Sequence, residues 1–225
     1  MSSQALLDLQ KMYPNCEFLQ KLVSKFHIFW EIYEACGKAW EPNCGSYLFD
    51  GKNYDYCQIM YEKQKSLHDK AKVSTRLLEC GVYQGHSLFC MLLGNPFLDA
   101  TLIDIDDKFS VPAIRVLQKH FPQAKLSFIK GDSLTVLPMI TQSFDLFHID
   151  GAHIEEHIKQ EWLLCVQHFM NKNTAIIFDD YDCGSGLENM IYNFAKMSFP
   201  HFKASGFYLP TCAYRNAIVE YSYYL

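Results

Sequence analysis

Between Arg76 and Asp180 the sequence repeats one pattern: a short apolar run that ends on or near a carboxylate, then a segment with the helical period. Runs at 76–80, 100–105, 126–130, 144–150 and 174–179 alternate with helix-like stretches at 87–93, 112–120, 133–140 and 152–170. Strands separated by helices of this length are joined by right-handed crossovers, which predicts a largely parallel sheet covered on both faces. The fold class is α/β. Ser110 is a plausible cap for the second helix, with Pro112 in its first turn. On the helix at 152–170, Ile154, Ile158, Trp162, Val166 and Phe169 form the apolar side. Two strand-like runs near the end, 202–209 and 216–223, leave no room for a helix between them and predict an antiparallel pair at one edge.

The first third of the chain reads differently. Phe18, Leu19, Leu22, Val23, Phe26, Phe29, Trp30 and Tyr33 recur at helical spacing and predict one long amphipathic helix over 16–36, with Gly37 as its stop. Residues 37–53 predict an ordered loop with aromatic anchors at Trp40, Tyr47 and Phe49, suited to act as a lid or to wall an acceptor pocket. A second helix follows over 54–72, with Tyr56, Ile59 and Met60 on one face and a Lys-rich end that suits the helix dipole. The expected organisation is a helical cap, 1–72, followed by a catalytic-size domain, 73–225.

Charge and cysteine usage narrow the partners. At a formal net charge of −5 over 225 residues, with no dense Lys/Arg cluster, the chain lacks the electrostatic footprint of a nucleic-acid groove. A small-molecule partner is expected instead. No apolar run is long enough to span a bilayer, and the first residues lack signal-peptide features, so no membrane partner and a cytoplasmic location are expected. The nine cysteines include no C-x-x-C pair, and Cys80, Cys90 and Cys165 fall among apolar neighbours as reduced core residues. Oligomeric state is left open, a homo-oligomer included.

The stretch Glu79-Cys80-Gly81-Val82-Tyr83-Gln84-Gly85-His86-Ser87 reads as strand, tight turn and helix start. Glycine tolerates positive φ and lets a ligand approach the backbone, so the turn suits a nucleotide-like ligand, the alternative being an ordinary connection. Ligands of open parallel sheets bind beyond the carboxyl ends of the strands. Those ends carry Glu79, Asp104, Asp106, Asp132, Asp150, Asp179 and Asp180. Such a gathering of like charge destabilises a fold unless a cation, ribose hydroxyls or hydrogen-bond donors offset it.

The pattern Glu79-x-Gly81-x-x-x-Gly85-x-Ser87, followed by Asp104 in Leu-Ile-Asp-Ile-Asp and by Gly131-Asp132-Ser133, resembles class I S-adenosylmethionine-dependent methyltransferases. That resemblance implies a Rossmann-like sheet and S-adenosylmethionine as cofactor. It places Glu79, Gly81, Tyr83, Gly85 and Ser87 in the cofactor loop. It makes Asp104 the ribose ligand, with Asp106 the alternative, and sets Asp132 and Ser133 beside the adenine. His148-Ile149-Asp150-Gly151-Ala152-His153 and Phe178-Asp179-Asp180-Tyr181 are similar to the metal-dependent O-methyltransferases of catechol and macrocin type. The implied roles are Asp150, Asp179 and Asp180 as ligands of a divalent metal, Mg²⁺ foremost. Asp150 also borders the cofactor, and the acceptor is a small-molecule hydroxyl. His153 stands where the catechol enzymes carry a catalytic Lys, and Asp180 where they carry Asn. An imidazole titrates near working pH, so His153 is the candidate base. Three rival readings are a non-catalytic or metal-independent binder of the same cofactor, zinc on His153, His157 and Glu161, and an NAD-dependent oxidoreductase. The last lacks its third glycine and gives Asp150, Asp179 and Asp180 no role. Acceptor choice is expected to lie in the N-terminal helices and in residues 183–187.

Overall fold

The computed structural model describes residues 3–38, 47–49, 55–181, 186–211 and 215–224. Four helices come first: α1 (Gln4–Met12), α2 (Glu17–Lys25), α3 (His27–Cys36) and α4 (Tyr61–Lys72). The alternating region follows as β1 (Arg76–Cys80), α5 (His86–Gly94), β2 (Asp99–Asp104), α6 (Ser110–His120), β3 (Lys125–Lys130), α7 (Ser133–Val136), β4 (Leu146–Ile149), α8 (Glu155–Val166) and β5 (Thr174–Phe178). The chain closes with α9 (Leu187–Phe194), β6 (Ser198–Phe199), β7 (Phe202–Tyr208) and β8 (Ala217–Tyr223).

All eight strands join one sheet in the order β3-β2-β1-β4-β5-β8-β7-β6. Strands β1 to β5 pair in parallel, and β8 runs antiparallel between β5 and β7. The expected antiparallel pair is present. It is extended by the short strand β6.

Alternation along the strands sorts side chains onto two cores. Leu77, Leu102, Leu146, Ile177 and Ile218 join the core that also holds α1 to α6 residues such as Leu6, Leu22, Phe29, Leu67, Leu92 and Leu117. Leu78, Ile103, Phe147, Ile176 and Val219 face the other core, with Ile158, Trp162 and Ile191 from α8 and α9. A period of two between consecutive residues is what a sheet buried on both faces requires. The N-terminal helices therefore form much of one covering layer. They pack on the sheet's flank as well as over its rim.

Several boundaries differ from expectation. The predicted helix over 16–36 breaks at Phe26, whose N–H reaches back only to the Val23 carbonyl at 3.5 Å. The Ser24 hydroxyl donates to the Lys21 carbonyl at 2.8 Å, a back-bond that bends helices. The break lets Phe26 and Phe29 stack, centroids 5.1 Å apart, inside the core. In the second predicted helix, a 3-10 turn over 58–60 precedes α4, which begins only at Tyr61. The predicted helix over 133–140 is one α turn, α7, followed by a 3-10 turn at 137–139. Ser110 is the first helical residue, with Phe109 at the cap position, because its hydroxyl is taken by Asp104. Ile154 precedes α8 and is exposed, so it leaves the apolar face assigned to it. Helix α9 was not foreseen at all. Trp40 and most of the expected lid, with residues 183–185, lie outside the described residues; Tyr47, Leu48 and Phe49 are buried.

Candidate active site

Backbone pairing carries the strand ends past the last regular residues and assembles a rim. The N–H of Gly81 donates to Ile103 O at 2.9 Å, that of Asp150 to Cys80 O at 2.8 Å, and that of Asp179 to Ile149 O at 2.9 Å. On the other side Gly131 N–H donates to Asp104 O at 2.9 Å. The carboxylates named from sequence thus gather at one end of the sheet. There Asp104, Asp106, Asp132 and Asp150 border a cleft of ≈ 480 Å³ lined also by Gly81, Tyr83, Ser110, Ser133 and His153, among others, whereas Glu79, Asp179 and Asp180 do not line it.

The glycine turn is held by acid. Asp104 Oδ2 accepts from the backbone N–H groups of Val82 (2.9 Å) and Tyr83 (2.8 Å) and from the Ser110 hydroxyl (2.9 Å), while Oδ1 accepts from Asp106 N–H at 3.0 Å. Three donors fill Oδ2. Only Oδ1 retains capacity toward the cleft. Asp106, whose Oδ1 accepts from Lys108 N–H, stands beside it. Gly81 and Gly85 take φ of +86° and +67°, as their residue type anticipated, and Tyr83 between them takes +45°. A left-handed tyrosine is strained and was not foreseen. Its ring lies 4.9 Å from that of Phe109. Asp132 caps α7 by accepting from Leu134 N–H at 2.9 Å.

Not every residue assigned to the cofactor loop reaches the cleft. Glu79 and Ser87 are buried beneath it, the Ser87 hydroxyl donating to Glu79 Oε1 at 2.6 Å, and neither they nor Gly85 lines the cavity. The same Glu79 oxygen lies 2.8 Å from His148 Nδ1. Cys80, Gly151, Ala152, His157 and Glu161 line the cleft without having been assigned to the cofactor. Glu161 is wholly buried, accepting from the Ser133 hydroxyl at 2.5 Å with His157 Nε2 3.4 Å away, and burial raises its carboxyl above the ordinary value.

The acidic cluster is compact. His153 Nε2 stands 3.7 Å from both Asp150 Oδ1 and Asp179 Oδ2, so the imidazole bridges the ends of β4 and β5. Burial, then the neighbouring Asp179, pushes Asp150 up to about 8, and the adjacent carboxylates of Asp150 and Asp179 hold His153 at about 10. Asp180 follows in a left-handed turn, φ +49°. Ligand atoms of His153, Asp179 and Asp180 lie within 4.8 Å of one another, as do those of His148, Asp150 and Asp179. Hard carboxylate oxygens plus one imidazole suit Mg²⁺ or Mn²⁺. Each group fits a divalent ion, but the three aspartates named as ligands do not form one group: Asp150 and Asp180 fall in different groups that share Asp179. The zinc grouping does not form, because His153 faces Asp150 and Asp179 while His157 and Glu161 face Ser133.

Two residues of the N-terminal third complete the cluster: Tyr47, expected as an aromatic anchor of the loop, and Lys63, which no motif marked. Lys63 of α4 places its ammonium 2.5 Å from Asp179 Oδ1 and 3.0 Å from Asp180 Oδ1. Tyr47 donates its hydroxyl to the same Asp179 oxygen and lies 2.8 Å from His148 Nε2. A buried chain thus runs from Ser87 through Glu79, His148 and Tyr47 to Asp179 and Lys63. No local signal marked Lys63, since it sits in a Lys/Gln-rich helix that reads as solvated.

Residues 78–181 match the family model described as a methyltransferase domain. Cofactor-bound Rv0187 from MTB superposes with a TM-score of 0.63 at 15% identity, covering 90% of this chain and 92% of that one. The chain shares the Rossmann-like α/β fold of solved O-methyltransferases. An O-methyltransferase from Bacillus cereus, solved in complex with SAH, gives a TM-score of 0.60 at 15% identity over 90% and 96% of the two chains. In sequence, O-methyltransferase hkm8 of Aspergillus hancockii is 32% identical over 82 residues, which is 36% of this chain. That match spans only 32% of the Aspergillus protein. The methyltransferase family match begins inside β1, so Tyr47 and Lys63 lie outside it. Among the described residues, no helix is long and apolar enough to cross a membrane.

Proposed function

We propose that this protein transfers a methyl group from S-adenosylmethionine to a hydroxyl of a small molecule, with a divalent cation held by Asp150, Asp179 and Asp180. The observation that carries this reading is one continuous cleft running from the glycine turn, past Asp104 and Asp132, to Asp150 and His153. The solved relatives that hold the same cofactor or its product, such as TomG of Streptomyces achromogenes in complex with SAM, support it. Gly81 and Tyr83 would border the methionine part, Asp104 Oδ1 or Asp106 the ribose, and Asp132 and Ser133 the adenine.

Methyl transfer from a sulfonium is an in-line displacement, so the protein's main task is to align donor and acceptor oxygen. A bound divalent ion would supply Lewis acidity toward that oxygen. The chain's own residues do the rest. Lys63 and Tyr47 fix one oxygen of Asp179, leaving Oδ2 toward His153; Asp150 and Asp179 keep His153 protonated up to about 10, so His153 would take the acceptor's proton only from the minor neutral form present at working pH.

Thermal-shift measurement with S-adenosylmethionine, SAH and NAD, each with and without Mg²⁺, tests the proposal. Adenosyl compounds should raise Tm and Mg²⁺ should add to the shift. Stabilisation by NAD alone would support the oxidoreductase instead. Adenosyl binding with no response to Mg²⁺ would remove the metal from the reading.

A further inference from the structure

The acids at the strand ends demand compensation, and among the described residues a buried ammonium reaches the acidic cluster from the helical layer. The Lys63 side chain is 4% exposed and contacts both Asp179 and Asp180, with its ammonium 4.4 Å from the centre of the Tyr47 ring. We infer that Lys63 is a built-in counter-ion of the Asp179–Asp180 pair, with which any external divalent cation must share the two carboxylates, so that α4 sets the cation affinity of the site.

Three observations carry this. The ammonium binds Oδ1 of each aspartate, and Asp179 Oδ2 points the other way, toward His153 and Asp150. The Lys63 ammonium and the His153 imidazole therefore meet different oxygens of the same carboxylate, and a cation would approach from the imidazole side. Lys63 also lies over the Tyr47 ring, and Tyr47 joins Asp179 to His148, which Glu79 holds, so the ammonium sits at the end of a buried polar chain. Finally, Asp179 is buried, and a buried carboxylate without a partner is costly enough that removing the lysine leaves charge to be neutralised by something else.

The inference rests on reading Asp150, Asp179 and Asp180 as cation ligands, and the test separates the two claims. Mn²⁺ and SAH are titrated calorimetrically, in separate experiments, into wild type, Lys63→Met and Lys63→Arg, and Tm is recorded with and without Mn²⁺. Loss of a unit positive charge this close to the ligands should tighten Mn²⁺ binding by about tenfold or more in Lys63→Met. Lys63→Arg keeps the charge and should stay within about threefold of wild type. Mn²⁺ should raise the Tm of Lys63→Met more than that of wild type, and SAH affinity should be unchanged in all three. Should Lys63→Met fail to fold without metal, Lys63→Gln, which keeps a donor but no charge, carries the same expectations.

Equal or weaker Mn²⁺ binding in Lys63→Met, or equal behaviour of the Met and Arg variants, overturns the inference. If SAH binds but neither wild type nor Lys63→Met takes up Mn²⁺, the counter-ion claim fails and the cofactor reading stands. If the Mn²⁺ difference appears and SAH never binds, Lys63 keeps its role and the methyltransferase reading fails.

Discussion

At the scale of single residues, the site depends on acids whose partners are unusual. Asp104 looks like a cofactor ligand, yet three of its four hydrogen bonds go to one oxygen and hold the glycine turn and the start of α6. Asp104→Asn must turn a donor toward other donors on one side or the other. We expect a loss of about 2 kcal/mol in stability and weaker SAH binding, read by denaturant unfolding and calorimetry. Gly81 is stricter still: a Cβ there would lie 2.0 Å from the Asp150 carbonyl oxygen, at a φ of +86°. Gly81→Ala should cost about 3 kcal/mol or more by overpacking and backbone strain, and SAH binding should vanish in any folded fraction. Glu161 gives a pH signature. Burial raises its folded pKa above the ordinary 4.5. The folded state then binds the proton more tightly than the unfolded one, so stability is greatest below that ordinary value and declines as pH rises through the folded value. Glu161→Gln should flatten this decline, seen as a smaller difference in Tm between pH 5 and pH 8 than wild type shows.

Among elements, the decisive contact is between α4 and α5, because it fixes where Lys63 falls relative to the strand ends. The two helices cross at Gly94, where an added Cβ would lie 2.2 Å from the His68 carbonyl oxygen. Gly94→Ala should push the helices apart, at a cost of about 1 to 3 kcal/mol by the usual scale for overpacking. Because α4 carries Lys63, the same variant should alter Mn²⁺ affinity while sparing the glycine turn. Calorimetry with Mn²⁺ and with SAH would reveal a change in both, or in neither, if that coupling is absent. On the opposite face Trp162 anchors α8 against β5 and α9, its ring 5.0 Å from Phe178 and 4.2 Å from Phe194.

For the molecule as a whole, the core that includes Leu6, Phe29 and Leu67 continues without interruption to Leu77, Leu146 and Ile218 of the sheet. The helical layer and the sheet should therefore unfold together. Far-UV circular dichroism and tryptophan fluorescence, to which Trp30 in α3, Trp162 in α8 and Trp40 contribute, should give coincident midpoints, and separated transitions would show that the layer melts alone. The sequence by itself determined the parallel sheet, the antiparallel closing strands, the two glycines at positive φ and the rim of acids, since each follows from periodicity or from the conformational range of one residue type. Position along a strand is local, and so is the end at which its carboxylate falls. Tertiary structure alone decided which acids face the cleft and which are buried beneath it, as Glu79 is, and brought Lys63 and Tyr47 onto Asp179 from far away in the chain. Contacts of that kind depend on how helices cross a sheet, and a buried lysine bears no mark in its own neighbourhood that distinguishes it from a solvated one.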